Sequence, residues 1–338
     1  MKIIIKVKRI IFPVLLLILL GACGKKDDKN KALIPSDASL EQLNSLIEKN
    51  PDDTGLLFER AKYYYKNQLY DKTIEEINSI LKKDSLNPDY YHLLADAYMD
   101  SAQSRFALST MKKLINKYPD RIESLLKLSE LFFIVKEYDN SISTVNSILY
   151  LSPNNPEAYF MLGVNFKEMQ ELSKAKNSFK TVVENDPGHV DAWLQLGQIA
   201  EEQGDTTAIT YYKNAIKTDT SSIEAIHYLA YYYQNHNRID EALSLYRKMS
   251  IMNPTNTSSY LNAGLIYMKM DSLPKAYDNF NLLVNISKAN PKAYYYRGLV
   301  QYLNGDNVKA KIDFEQCLKI DPEFSDAKTM LNKIKKTR

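Results

Sequence analysis

The chain has 338 residues, of which 45% are hydrophobic and 11% aromatic; its ten glycines and twelve prolines are too few for a low-complexity or disordered polypeptide. The formal charge of +3 is local: Lys2, Lys6, Lys8 and Arg9 fall in the first 22 residues, and the rest holds 40 basic and 41 acidic side chains. No basic stripe is left to neutralise phosphates, which argues against nucleic acid as a partner.

In chain order, residues 1–22 read as a signal peptide: a cationic start, an apolar run from Ile10 to Leu20 too short to span a bilayer comfortably, and small residues before Cys23. Leu20-Gly21-Ala22-Cys23 resembles the bacterial lipobox. That resemblance implies cleavage before Cys23 and acylation of its thiol, the nucleophile that accepts the diacylglyceryl group, with palmitate-type chains as a stable membrane anchor. Residues 23–35 follow as the lipidated end and a charged tether without periodicity, reaching roughly 20 Å as a flexible coil. Gly24 after the cysteine resembles outer-membrane sorting, with the periplasmic face favoured over the cell surface; Lys26-Asp27-Asp28 resembles a short acidic surface-export tag.

Residues 36–53 are expected to form an N-terminal capping helix with Leu43, Leu46 and Ile47 on one face. From residue 54 a unit recurs every 34 residues, eight times, ending at 324. In the last unit Ala310, Phe314, Cys317 and Leu318 share a helical face, Asn304-Gly305-Asp306 marks a turn, and Pro322 ends the second helix, so each unit reads as a helical hairpin. Two columns stay small throughout: Ala61, Ala95, Ser129, Gly163, Gly197, Ala230, Gly264 and Gly298 in the first helix, and Thr73, Ala107, Ser141, Ala175, Ala208, Ala242, Ala276 and Ala310 in the second. Large residues surround them, from Ile77 and Met111 to Phe280 and Phe314. The fifth unit is one residue short around Thr206-Thr207, and Ser85, Thr220 and Lys288 replace the closing proline, which puts the turn in question there. Residues 325–338 begin one more helix that caps the other end.

The unit resembles the tetratricopeptide repeat, W-x2-L-G-x2-Y, then A-x3-F, then P. The resemblance implies an all-α, right-handed α-solenoid whose first helices line a concave groove, with no cofactor. Nothing suggests an enzyme: nucleophile elbows, zinc motifs, phosphate loops and paired cysteines at metal spacing are lacking. Cys317 lies in a helix-crossing column and reads as a buried small hydrophobe; with Cys23 acylated it has no disulfide partner.

In the family the groove is lined by the second, fifth, sixth, ninth, twelfth and thirteenth residues of each repeat. The lysine and asparagine of the peptide-carboxylate clamp belong at the fifth and ninth places of the repeat, where this chain has Phe58 and Lys62, His92 and Asp96, Leu126 and Glu130, so that clamp is not expected. Two other patterns are. Asp96, Asp100, Glu130, Glu168, Glu201 and Glu202 give an acidic stretch, reinforced by acids in the first turns. Tyr231, Leu261, Leu265, Met268, Tyr295, Leu299 and Tyr302 give an apolar one. The expected partner is a protein or peptide with basic residues toward one end and apolar anchors toward the other. The resulting expectation is a membrane-anchored scaffold or adaptor in envelope assembly, similar to the lipoproteins that pilot secretins or assist barrel assembly. The alternative is a surface glycan- or nutrient-binding lipoprotein of the starch-utilisation type, which resembles this chain in its hairpins and would use its tyrosines for stacking. Such proteins interrupt their repeats with long loops, and none occurs here.

Overall fold

The computed structural model describes residues 38–336, all of them helix or short connection. The signal peptide, Cys23 and the whole of the tether lie outside the described residues. Helix α1 (Leu40–Lys49) precedes eight hairpins: α2/α3 (Thr54–Lys66, Tyr70–Lys83), α4/α5 (Pro88–Asp100, Ser104–Lys117), α6/α7 (Ile122–Ile134, Tyr138–Leu151), α8/α9 (Pro156–Glu168, Leu172–Asn185), α10/α11 (Val190–Glu202, Ala208–Thr218), α12/α13 (Ile223–Asn235, Ile239–Met252), α14/α15 (Thr257–Lys269, Leu273–Ile286) and α16/α17 (Pro291–Leu303, Asn307–Ile320). Helix α18 (Ser325–Lys336) closes the array.

Starts and stops follow local chemistry. Ser39 and Gln42 form a capping box on α1, and the side chains of Asp53, Asn87, Asn155, Ser222, Asn256 and Asn290 accept amide hydrogen bonds at first-helix starts. Pro88, Pro156 and Pro291 sit at the first helical position, where a missing N–H costs nothing. Each hairpin turns through one left-handed residue: Gln68, Ala102, Lys136, Gln170, Gly204, Asn237, Asp271 and Gly305. The next amide then reaches back five residues, as in Leu69 N to Tyr64 O at 2.9 Å and Glu137 N to Phe132 O at 2.8 Å, which closes a Schellman turn. Alanine bears this conformation badly, because its Cβ crowds the following carbonyl. Ala102→Gly, at φ 61°, is expected to raise stability by about 0.5–1 kcal/mol even after the added freedom of the unfolded chain. Thermal unfolding checks it; an unchanged or lower Tm would mean that the turn carries no such strain.

The small columns are where helices cross. A Cβ added at Gly163, Gly197 or Gly264 would lie 2.5, 2.3 or 2.6 Å from the ring of Phe179, Tyr212 or Phe280. Where the first-helix column carries a Cβ, at Ala61, Ala95 and Ser129, the residue in register opposite is aliphatic: Ile77, Met111 and Val145, all fully buried. Ala230 opposite Tyr246 departs from this pairing, and nothing in the structure explains it.

Neighbouring hairpins are latched by their connections. Tyr91 Oη, Trp193 Nε1 and Tyr260 Oη, at the same place in their repeats, donate to the carbonyls of Ser85, Pro187 and Pro254 at 3.1, 3.0 and 3.1 Å. The bond uses the carbonyl and not the proline ring, so the latch forms at Ser85 as well, although residues 84–87 do not make the hydrogen-bonded turn of the other connections. The short fifth repeat is taken up at the hairpin turn: α11 has 11 residues where the other second helices have 14, and the connection before it, 203–207, is correspondingly longer than in the other hairpins. First helices of neighbouring hairpins also touch one another, α2 to α4, α4 to α6, α6 to α8 and α10 to α12, while no two second helices meet to that extent. The stack therefore bends with its first helices on the inner wall.

Candidate partner-binding face

Polar side chains on the inner wall join one first helix to the next. Tyr65 Oη donates to Asp100 at 2.8 Å, His92 Nε2 lies 3.0 Å from Ser124 Oγ, and His227 Nε2 lies 3.3 Å from Asn262 Nδ2. Lys127 reaches Asp96 at 2.6 Å across the repeat boundary and Glu130 at 3.5 Å on its own helix. Burial alone would depress this ammonium, but Asp96 and Glu130 together outweigh it and hold its pKa above the usual lysine value. Lys167 donates to Gln195 and Gln198 at 2.6 and 2.8 Å, and burial pulls its pKa down against the opposing field of Glu202 and Glu168. Burial likewise holds His92 and His227 below the ordinary imidazole range, with Glu123 opposing the shift at His92.

These bonds locate the acids expected in the groove. Asp96 and Glu130 share Lys127, and Asp100 accepts from Tyr65. Glu201 accepts from the buried Tyr212 hydroxyl at 2.8 Å, which ties it to the core of its own hairpin. Glu168 and Glu202 are exposed and flank Lys167. The acidic stretch thus contains two half-buried lysines, at the sixth and twelfth places of their repeats. Sequence reasoning passed over them, although both occupy groove positions and could have been entered in the same tally.

In the apolar stretch Tyr231 is 37% exposed and faces the His227 ring. Leu261, Leu265 and Met268 are half-buried against the core that includes Phe280, and Leu299 and Tyr302 against the core around Phe314. Tyr295 packs between Phe314 and Phe324, with ring centroids 5.9 and 5.1 Å away. Each of these side chains spends part of its surface on the solenoid core and leaves the rest accessible. Cys317 is fully buried and burial pushes its thiol up to about 11. Among the described residues no group of three or more histidine, cysteine, aspartate or glutamate side chains could hold a metal ion.

Two stretches, 160–222 and 291–324, match models described as tetratricopeptide repeat, the second coinciding with α16, α17 and the turn after them. The chain is a tetratricopeptide repeat protein. Among curated proteins, this tetratricopeptide array is 23% identical over 208 residues to the BBSome complex member BBS4 homolog of Drosophila melanogaster, covering 61% of this chain and 42% of that one. It is 22% identical over 212 residues to anaphase-promoting complex subunit 3 of Schizosaccharomyces pombe, covering 63% and 27%. It is 26% identical over 180 residues to the peroxisomal targeting signal receptor of Saccharomyces cerevisiae, covering 50% and 29%. The chain spans less than half the length of each of these relatives. Among solved structures, Cut9-Hcn1, the APC/C hetero-tetramer, is similar over 87% of this chain and 58% of that one, at 17% identity and a TM-score of 0.49.

Proposed function

We propose that this tetratricopeptide protein is a lipid-anchored scaffold that binds polypeptide partners along the inner wall of its solenoid, in the assembly of outer-membrane or envelope complexes. One observation carries the reading: the first helices form a continuous face whose chemistry changes from acids braced by lysines to half-buried leucine, methionine and tyrosine. A segment with basic residues at one end and apolar anchors at the other matches both parts. Its bases meet Glu168 and Glu202 as exposed carboxylates, and its anchors cover surface that α14 and α16 leave open.

Leu265→Asp is expected to weaken partner binding on the order of tenfold or more by desolvating a carboxylate in the interface, and added salt to weaken it further through the acidic part. Isothermal titration across ionic strength checks both, with thermal unfolding as the control; binding indifferent to the substitution and to salt would remove the groove from consideration. Anchoring rests on the lipobox resemblance and is tested apart from it. The full chain is expected to incorporate labelled palmitate in a Gram-negative host and Cys23→Ser to incorporate none; an unlabelled parent chain would overturn the anchor.

A further inference from the structure

A surface cleft of ≈ 350 Å³ opens on the edge where first helices turn into second helices, lined by Leu273, Pro274, Tyr277, Val300, Gln301 and Lys309 among others. The repeat shows why it exists. Gln301 holds the eleventh place of its repeat, where six of the other repeats carry a ring: Tyr64, Tyr98, Phe132, Phe166, Tyr233 and Tyr267. The fifth repeat has the fully buried Ala200 there, in the hairpin with the shortened second helix. In the last repeat, glutamine takes the place of the ring and a cleft remains.

The neighbours of that ring are still present. At the nineteenth place Lys72, Lys174 and Lys275 lie 5.6, 5.2 and 5.4 Å from the ring centroids of Tyr64, Phe166 and Tyr267, and Phe106 stacks on Tyr98 at 5.3 Å. Lys309 is the residue at that place in the last repeat, and it lines the cleft with no eleventh-place ring beneath it, its ammonium held 2.8 Å from Asp306. Gln301 is 8% exposed, and its Oε1 has no hydrogen-bond partner among the described residues. A buried acceptor left without a donor costs free energy that a guest N–H or O–H would recover.

We propose that this cleft is a receptor for an aromatic side chain with a hydrogen-bond donor, a tyrosine or tryptophan carried by a partner polypeptide. The ring enters the space that the eleventh-place aromatic fills elsewhere, between Leu273, Tyr277 and Val300. Its hydroxyl or indole N–H donates to Gln301 Oε1, and Lys309 covers its face as its counterparts cover theirs. The site lies on an edge of the array and not on the inner wall, so it stands or falls separately from the groove.

p-Cresol, the tyrosine side chain alone, tests the proposal by ligand-observed NMR on the full chain. It is expected to bind, with toluene, the same ring without a donor, about tenfold weaker. Gln301→Tyr restores the residue type used in other repeats, so it is expected to fold with an unchanged or higher Tm and to bind neither probe. Gln301→Leu is expected to lose the preference for p-cresol over toluene. N-acetyltyrosinamide, which carries the ring on a peptide backbone, is expected to bind at least as well as p-cresol. Absence of binding to the parent chain, undiminished binding to Gln301→Tyr, or equal affinity for p-cresol and toluene would overturn the proposal. Exclusion of N-acetyltyrosinamide while p-cresol enters would overturn the assignment to a polypeptide.

Discussion

Arg297→Met is expected to destabilise the last hairpins by about 3–5 kcal/mol, the largest single effect anticipated anywhere in the array. The Arg297 guanidinium donates through Nε and Nη2 to both oxygens of Asp313, at 2.8 and 2.7 Å, and through Nη1 to Asn281 Oδ1 at 2.8 Å. It thereby joins α15, α16 and α17 at one point. The Asp313 side chain is only 4% exposed, so removing the arginine strands a carboxylate with no water to replace it. The double variant Arg297→Met with Asp313→Leu removes the charge along with its partner and is expected to recover most of the loss. The first hairpin repeats the device: Arg60 bonds both oxygens of Glu76 at 3.1 and 3.0 Å and Asn44 at 2.9 Å. Denaturant unfolding read at the C-terminal hairpins decides the matter. A loss below about 1 kcal/mol for the single variant would show that the pair contributes little beyond its own desolvation.

Gly197→Ala is expected to cost about 1–3 kcal/mol, whereas an ordinary glycine-to-alanine change inside a helix stabilises by about 0.5–1 kcal/mol. The new Cβ would stand 2.3 Å from Tyr212 Cε1 and 2.6 Å from Cδ1. Tyr212 has no room to yield, since it is fully buried and its hydroxyl is bonded to Glu201. Adding Tyr212→Met recreates the combination found at Ala95 and Met111, so the double variant is expected to be more stable than the sum of the two single losses by roughly 1 kcal/mol. Simple additivity, measured by thermal unfolding of the three variants, would mean that the column and its partner are not in conflict.

The same contacts explain what the sequence could reveal. Steric exclusion leaves a mark in a single column: nothing larger than glycine fits beside Tyr212 or Phe280, so the columns named the helix crossings and with them the all-helical solenoid. The closing proline was a poorer guide, because the latch from Tyr91 needs only the Ser85 carbonyl, which every residue supplies. The turns hid for a related reason. Gln68 and Ala102 are not turn-forming residues, and their left-handed conformation is imposed by the two helices they join. The candidate face was legible as a set of positions but not as a set of interactions. Which acids are neutralised depends on partners a whole repeat away, as Asp96 depends on Lys127, and a tally of one charge sign cannot register such a pair. The cleft at Gln301 was readable in principle, as the polar member of an aromatic column, once the eleventh place was compared across repeats.

The inner wall is the central claim, and site-specific photocrosslinking in intact envelopes tests it most directly. A benzoylphenylalanine at Leu265 or Tyr231, on the inner wall, is compared with one at Tyr150, which is 88% exposed on a second helix. The expected result is one discrete adduct from both inner positions, lost on adding Leu265→Asp to the Tyr231 probe, and none from Tyr150. Adducts from Tyr150 with none from Leu265 or Tyr231 would place the partner on the outer surface and contradict the account.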